Sequence, residues 1–182
     1  MIRRTLSYLS VLLFSLVAFS LLPACTACES TSLILKGTDY QNNGQYDKAL
    51  ECFNKAIELD PKDYLGYVGR GEVYSEFVRY EEAIADFDTA IRLNPEDDEA
   101  YFEKGQVLEK LGDYESAVEY YSKAIELKSD DAYYYFTRGS AYQKLERNDE
   151  AIADFRKSCG LGETVGCEAA ELVWKDMKRT EE

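Results

Sequence analysis

The chain has 182 residues, the size of one domain, and carries 35 acidic against 21 basic side chains, a formal net charge of −14. It contains no histidine, which excludes the usual serine and cysteine triads and the usual zinc and haem ligand sets. The acidic balance excludes a nucleic-acid partner, because a phosphate backbone needs a basic footprint. With 3 Pro, 11 Gly and 13% aromatic residues, the composition predicts a folded, mostly helical protein.

The N-terminal segment has the order of a secretory signal. Residues 1–4 form a short basic start, residues 5–22 are 18 residues without a charge, and small residues follow them. This order predicts export and cleavage. An apolar run of this length also reaches the lower limit for spanning a bilayer, so an uncleaved N-terminal anchor is the alternative.

The sequence Leu22-Pro23-Ala24-Cys25 resembles the lipobox of bacterial lipoproteins. The resemblance implies cleavage before Cys25 and attachment of lipid, palmitate included, to that residue. It also implies an exported, periplasm-facing protein that is held at a cell-envelope membrane by its lipid. Ordinary cleavage after Ala24 or Ala27 is the alternative.

From residue 30 onward, the same residue types recur every 34 positions. The clearest recurrences are Gly37, Gly71, Gly105 and Gly139, then Ala49, Ala83, Ala117 and Ala151, then Phe53, Phe87, Tyr121 and Phe155. Spacings held over four units indicate a repeat architecture.

Each unit is predicted to be a pair of helices. In the second unit, Tyr67, Gly71 and Tyr74 share one helical face, and a second apolar stripe of helical period covers residues 83–91. Pro95 ends that second helix, because the residue before a proline avoids the helical conformation. The small recurring residues are expected where two helices cross closely, so enlarging them should cost stability.

These residues are similar to the signature of the tetratricopeptide repeat family. In the second unit the matching residues are Tyr67, Gly71, Tyr74, Ala83, Phe87, Ala90 and Pro95. The resemblance covers about residues 30–165. It implies an all-α, right-handed superhelix of antiparallel helix pairs with a concave groove used for binding.

The predicted organisation follows from the repeat and from the N-terminal segment. A last amphipathic stretch after Gly166 is interpreted as a capping helix, because a solenoid needs its last unit covered. The predicted segments are a signal peptide at 1–24, a lipidated tether at 25–29, repeats at 30–63, 64–97, 98–131 and 132–165, and a capping helix and tail at 166–182.

Two cysteines fall in the last helix pair. Cys159 and Cys167 flank a turn marked by Gly160 and Gly162, which places them on different helices of one hairpin. This spacing resembles secreted cysteine-rich two-helix repeat proteins of bacteria, and the resemblance implies a disulfide. Two reduced, packed thiols are the alternative. Cys52 is interpreted as a small packing residue.

The candidate binding face lies on the first helices of the units. Apolar and polar side chains there suit capture of an extended or helical segment through anchors and hydrogen bonds. The candidate peptide-binding residues are Val68, Glu72, Phe102, Gln106, Tyr133, Phe136 and Ser140. The alternative for Phe102 and Phe136 is packing between neighbouring first helices.

One known binding mode is excluded at this face. Tetratricopeptide domains that bind chaperone C-terminal carboxylates need inward Lys, Asn and Arg side chains. The matching positions of this chain hold Ile34, Thr38, Gly69, Glu99 and Glu103. This surface is therefore not expected to hold a free carboxylate.

The sequence predicts a non-catalytic interaction scaffold in the bacterial cell envelope. It shows no nucleophile with a base, no glycine-rich phosphate loop and no metal constellation, so no catalytic residue, cofactor or metal is expected. The expected partner is an envelope protein. The alternative is a self-associating structural component, with a homodimer as its simplest form.

Overall fold

The computed structural model describes residues 26–180, which form nine α-helices and no strand. This confirms the all-α fold class. The helices are α1 at 26–42, α2 at Tyr46–Leu59, α3 at Tyr64–Glu76, α4 at Tyr80–Leu93, α5 at Asp98–Lys110, α6 at Tyr114–Leu127, α7 at Ala132–Lys144, α8 at Asn148–Gly160 and α9 at Thr164–Thr180. No helix within this part of the chain is long and apolar enough to span a membrane. The predicted signal segment and Cys25 lie outside the described residues.

The helices form two compact units that divide after Val73, within α3. In the first unit, the buried ring of Phe53 on α2 lies against glycines of α1 and α3. A Cβ atom would come within 2.8 Å of that ring at Gly37 and within 2.5 Å at Gly69. Only glycine leaves room for the ring at these two crossings.

The second unit repeats this arrangement in its helix pairs. A Cβ atom at Gly105 would lie 2.6 Å from the ring of Tyr121, and one at Gly139 would lie 2.9 Å from the ring of Phe155. Both rings are buried. The prediction that small recurring residues allow close helix crossings is therefore confirmed at these positions.

The ends of the helices explain two further sequence features. Two acidic residues at the repeat junctions cap helices. Asp97 accepts a hydrogen bond from the backbone N–H of Ala100 at the start of α5, and Asp131 accepts one from Tyr133 at the start of α7. The turns within the four helix pairs, and the turn between α8 and α9, each contain a residue with positive φ. These residues are Gly44, Val78, Gly112, Glu146 and Gly162.

Two cations, the buried Lys104 and the partly buried Arg138, connect successive helix pairs in the second unit. Lys104 donates hydrogen bonds to Asp88 on α4 and to the Tyr120 hydroxyl on α6. Thirty-four residues later, Arg138 makes a two-pronged ion pair with Asp154 on α8 and donates to Ser122 on α6. Burial disfavours the charge of Arg138, but the hydrogen bonds to Asp154 raise its pKa. Each cation thereby joins second helices of adjacent repeats.

The C-terminal hairpin of α8 and α9 carries the predicted disulfide between Cys159 and Cys167, with a Cα–Cα distance of 4.9 Å. The large apolar side chains of α9 are divided between core and surface. Val173 packs into the core formed with α8, but Leu172 and Trp174 are exposed. Cys52 is buried in α2, as predicted for a packing residue.

Candidate peptide-binding groove

A cavity of about 420 Å³ lies between α5, α7 and the first residue of α6, within the second unit. We call this cavity the α5–α7 groove. Its lining residues are Gln106, Glu109, Lys110, Tyr114, Tyr133, Phe136, Thr137 and Ser140.

The α7 wall of the groove is aromatic. Tyr133 lies at the start of α7, where the Asp131 cap holds its backbone N–H, and its side chain is 54% exposed. One turn later, Phe136 is half-buried and packs on Phe155 at a ring-centroid distance of 5.4 Å. The hydroxyl of Ser140 donates to the Phe136 carbonyl, which turns it toward its own helix. This wall therefore offers mainly ring surface to a ligand.

The α5 wall of the groove is polar and charged. The groove side of α5 carries Gln106, with Glu109 three residues later and Lys110 four residues later. Residues at these spacings lie next to Gln106 on the helix surface. Glu109 Oε2 accepts a 2.6 Å hydrogen bond from the Tyr121 hydroxyl. The Lys110 ammonium donates to Ser75 Oγ at 3.0 Å.

The bond between Tyr121 and Glu109 fixes the proton at the tyrosine. Burial raises the pKa of the Tyr121 hydroxyl, and the hydrogen bond and charge of Glu109 raise it further. The hydroxyl therefore stays a proton donor at neutral pH. Glu109 acts as its acceptor, which orients the carboxylate at the edge of the groove.

The structure brings four of the predicted binding residues together. Gln106, Tyr133, Phe136 and Ser140 all line the groove. They share one surface, and peptide binding by them stays a prediction.

Phe102 and Val68 need a correction, because both were expected as exposed anchors. Phe102 is only 4% exposed. Its ring stacks on Tyr134 at 4.4 Å and meets the edge of Tyr133 at 5.4 Å. Val68 is only 5% exposed. The alternative interpretation, packing, therefore holds for Phe102, and burial leaves Val68 no exposed surface as an anchor.

Glu72, the remaining candidate, lies in the first unit. Its carboxylate accepts a 2.7 Å hydrogen bond from Gln41 on α1. It is not part of the α5–α7 groove.

The sequence reasoning missed Glu109, Lys110, Tyr114 and Thr137. Glu109 and Lys110 follow Gln106 by one helical turn on the same face, a spacing that could have identified them. Tyr114 occupies the first position of α6. No group of three potential metal ligands occurs within residues 26–180.

Sequence models of the tetratricopeptide repeat family match three segments of the chain. The matched residues are 30–63, 76–132 and 132–161. A comparison with curated proteins finds no significant sequence match.

Solved structures with the same repeat are similar to this chain. A crystal structure of MamA protein shares 21% identity at a TM-score of 0.71, with 81% of each chain covered. YrrB, described as a tetratricopeptide protein with an unusual peptide-binding site, shares 26% identity at a TM-score of 0.68, covering 80% of this chain and 76% of YrrB.

The first tetratricopeptide domain of Spaghetti (RPAP3), solved with the HSP90 peptide SRMEEVD, shares 25% identity at a TM-score of 0.63. The match covers 66% of this chain and 95% of that domain. The three family matches together cover most of residues 30–161. The chain belongs to the tetratricopeptide repeat family.

Proposed function

We propose that this protein is a non-catalytic interaction scaffold of the bacterial cell envelope that binds a segment of a partner protein in the α5–α7 groove. The observation that carries this proposal is the exposed ring of Tyr133 beside Phe136 in a cavity of about 420 Å³. Large aromatic side chains at a partly desolvated cavity are the usual anchors of protein interfaces. The peptide-binding descriptions of YrrB and of the Spaghetti domain support a peptide ligand for this groove as well.

The shape of the groove favours a segment with a flat apolar side chain. Tyr133 and Phe136 offer ring surface on one wall, and Gln106 offers an amide on the other wall. Within the described residues, Gln106 makes no side-chain hydrogen bond, so its amide is available to a backbone group of the bound segment. The groove thereby combines one apolar anchor site with one polar contact.

The test places a photo-crosslinking amino acid in the full-length protein in cells. At Thr137, which lines the groove, it should crosslink to a partner protein. At Glu119, which is exposed on α6 and does not line the groove, it should not. Equal crosslinking from both positions would contradict groove binding.

A second variant measures the contribution of the ring. Tyr133→Ala removes an exposed side chain, so helicity and urea midpoint should change little. Loss of an aromatic anchor commonly costs 2 kcal/mol or more, about a thirtyfold loss of affinity for the crosslinked partner. Crosslinks from Thr137 that join only a second copy of the chain would instead support the self-associating alternative.

The envelope location is tested separately, at Cys25. Lipid on this residue would hold the scaffold at a membrane, since two or more acyl chains give stable anchoring. Palmitate labelling should mark the wild type and fail in Cys25→Ser, while Cys28→Ser keeps the label. A wild-type protein without label would overturn the anchoring proposal and leave groove binding open.

A further inference from the structure

We infer that the α5–α7 groove selects partner segments carrying a Lys or Arg side chain, with Glu109 as the counter-charge and the rings of Tyr133 and Phe136 around the aliphatic stem. This inference rests on the proposed groove function and names the chemistry of the bound segment. Its starting point is that three aromatic residues and one oriented carboxylate line the same cavity. Rings beside a carboxylate form a site for a cationic group with an apolar stem.

The Glu109 carboxylate is oriented by one hydrogen bond from a neutral group. Its Oε2 atom accepts from the Tyr121 hydroxyl, a neutral donor that orients the group without cancelling its charge. Within residues 26–180, no Lys or Arg side chain forms an ion pair with Glu109. The half-buried carboxylate therefore has charge available for a partner.

The neighbouring cation, Lys110, is engaged elsewhere. Lys110 also lines the cavity. Its ammonium donates a hydrogen bond to the Oγ atom of Ser75, a buried residue in the last turn of α3. Residues next to each other on a helix point about 100° apart. Lys110 therefore does not neutralise Glu109 in this structure.

The charge around Glu109 is negative in the chain as a whole. Burial raises the pKa of the Tyr121 hydroxyl, the hydrogen bond and charge of Glu109 raise it further, and the charge of Glu103 acts in the same direction. The chain as a whole carries a net charge of −14. Such a field attracts cationic segments and repels acidic ones.

The experiment selects random 12-residue peptides displayed on phage against the immobilised full-length protein in non-ionic detergent. We expect enrichment of peptides with Lys or Arg within three residues of an apolar residue. Binding of the enriched peptides, measured by fluorescence anisotropy, should be lost in Tyr133→Ala. Enriched peptides that are acidic, or that need a free C-terminal carboxylate, would overturn the inference.

A double-mutant cycle then identifies the charge pair. Glu109→Gln should weaken an enriched peptide on the order of tenfold, because glutamine keeps an acceptor for Tyr121 but loses the charge. Replacing the peptide lysine with norleucine should weaken it equally, and the two changes together should cost no more than either alone. The matched control, Glu119→Gln, removes an exposed charge on α6 and should change nothing.

The outcomes separate this inference from the proposed function. Peptides that need Tyr133 but bind equally with lysine or norleucine would remove the inference and leave groove binding intact. If the selected peptides bind Tyr133→Ala as well as the wild type, both the inference and groove binding are contradicted. A selection that enriches no peptide contradicts both as well. Since the norleucine peptide needs no protein variant, the inference stays testable even if Glu109→Gln destabilises the fold.

Discussion

Helices α5 and α7 occupy equivalent places in successive repeats, but they present their equivalent phenylalanines differently. Phe102 on α5 is covered by Tyr133 and Tyr134 of the next repeat. The residues 34 positions after these tyrosines are Cys167 and Glu168, which carry no ring. Phe136 on α7 has no such ring cover from α9, is half-buried and lines the groove toward α5. The exposure of a repeat position is decided by the neighbouring repeat as well as by its own.

The largest expected loss of stability comes from removing the phenylalanine that is packed differently in the two helices. Phe102→Ala removes a buried ring with three aromatic neighbours and should destabilise the second unit by about 3–5 kcal/mol. Phe136→Ala removes a half-buried ring and should cost about 1–2 kcal/mol. Urea unfolding followed by circular dichroism compares them. Equal losses would show that the two positions pack alike.

The next effect concerns the hairpin that follows α7. Cys159→Ser with Cys167→Ser removes the disulfide and should cost about 2–3 kcal/mol in the chain-entropy model. Because contacts in a repeat array are local, amide exchange should rise in α8 and α9 while α5 stays protected. The control Cys28→Ser removes an exposed thiol and should change neither helix. Faster exchange throughout α5 would contradict local unfolding.

The helix crossings of α5 and α7 should respond differently to the same substitution. Gly105→Ala presses a methyl group against Tyr121, whose hydroxyl is held by Glu109, and should cost about 2 kcal/mol. Gly139→Ala meets Phe155 at 2.9 Å, a longer distance than at Gly105, and this ring has no hydroxyl to be held by a hydrogen bond, so about 1 kcal/mol is expected. Thermal unfolding of the two variants measures the difference. A larger loss of stability in Gly139→Ala than in Gly105→Ala would contradict this explanation.

The smallest expected effects lie in the turns after the two helices. Both turns need positive φ, which Gly112 supplies after α5 and Glu146 after α7. Glu146→Gly should raise stability by about 1 kcal/mol, and Gly112→Ala should lower it by about the same amount. A methyl group at Gly112 would have open space around it, so the second effect is backbone strain alone. Denaturant midpoints that move in the same direction for both variants would contradict this account.

Much of the fold could be predicted because its signals are periodic. Glycines recur every 34 residues, at Gly37, Gly71, Gly105 and Gly139. At Gly37, Gly105 and Gly139 the structure leaves no room for a side chain. Lys104, which is buried, and Arg138, which is partly buried, are also 34 residues apart and could have been identified from that spacing. They were missed because charged residues are usually assigned to solvated surfaces.

The groove was harder to predict than the helices. Gln106, Tyr133, Phe136 and Ser140 were placed correctly on one surface, since helical spacing determines which residues share a face. The burial of Phe102 was not predicted, because it depends on the rings of Tyr133 and Tyr134 reaching back from the next repeat. Position in a repeat does not show how far a neighbouring side chain extends.

The sequence by itself determined the all-α class, the repeat length, the crossings at small residues and the cysteine pair of the last hairpin, because each follows from local spacing along the chain. The tertiary structure decided which aromatic residues are core and which line the groove, and it oriented Glu109 through Tyr121. These features depend on contacts between side chains of different helices. Such contacts are set by side-chain size and packing direction, which the 34-residue pattern does not encode.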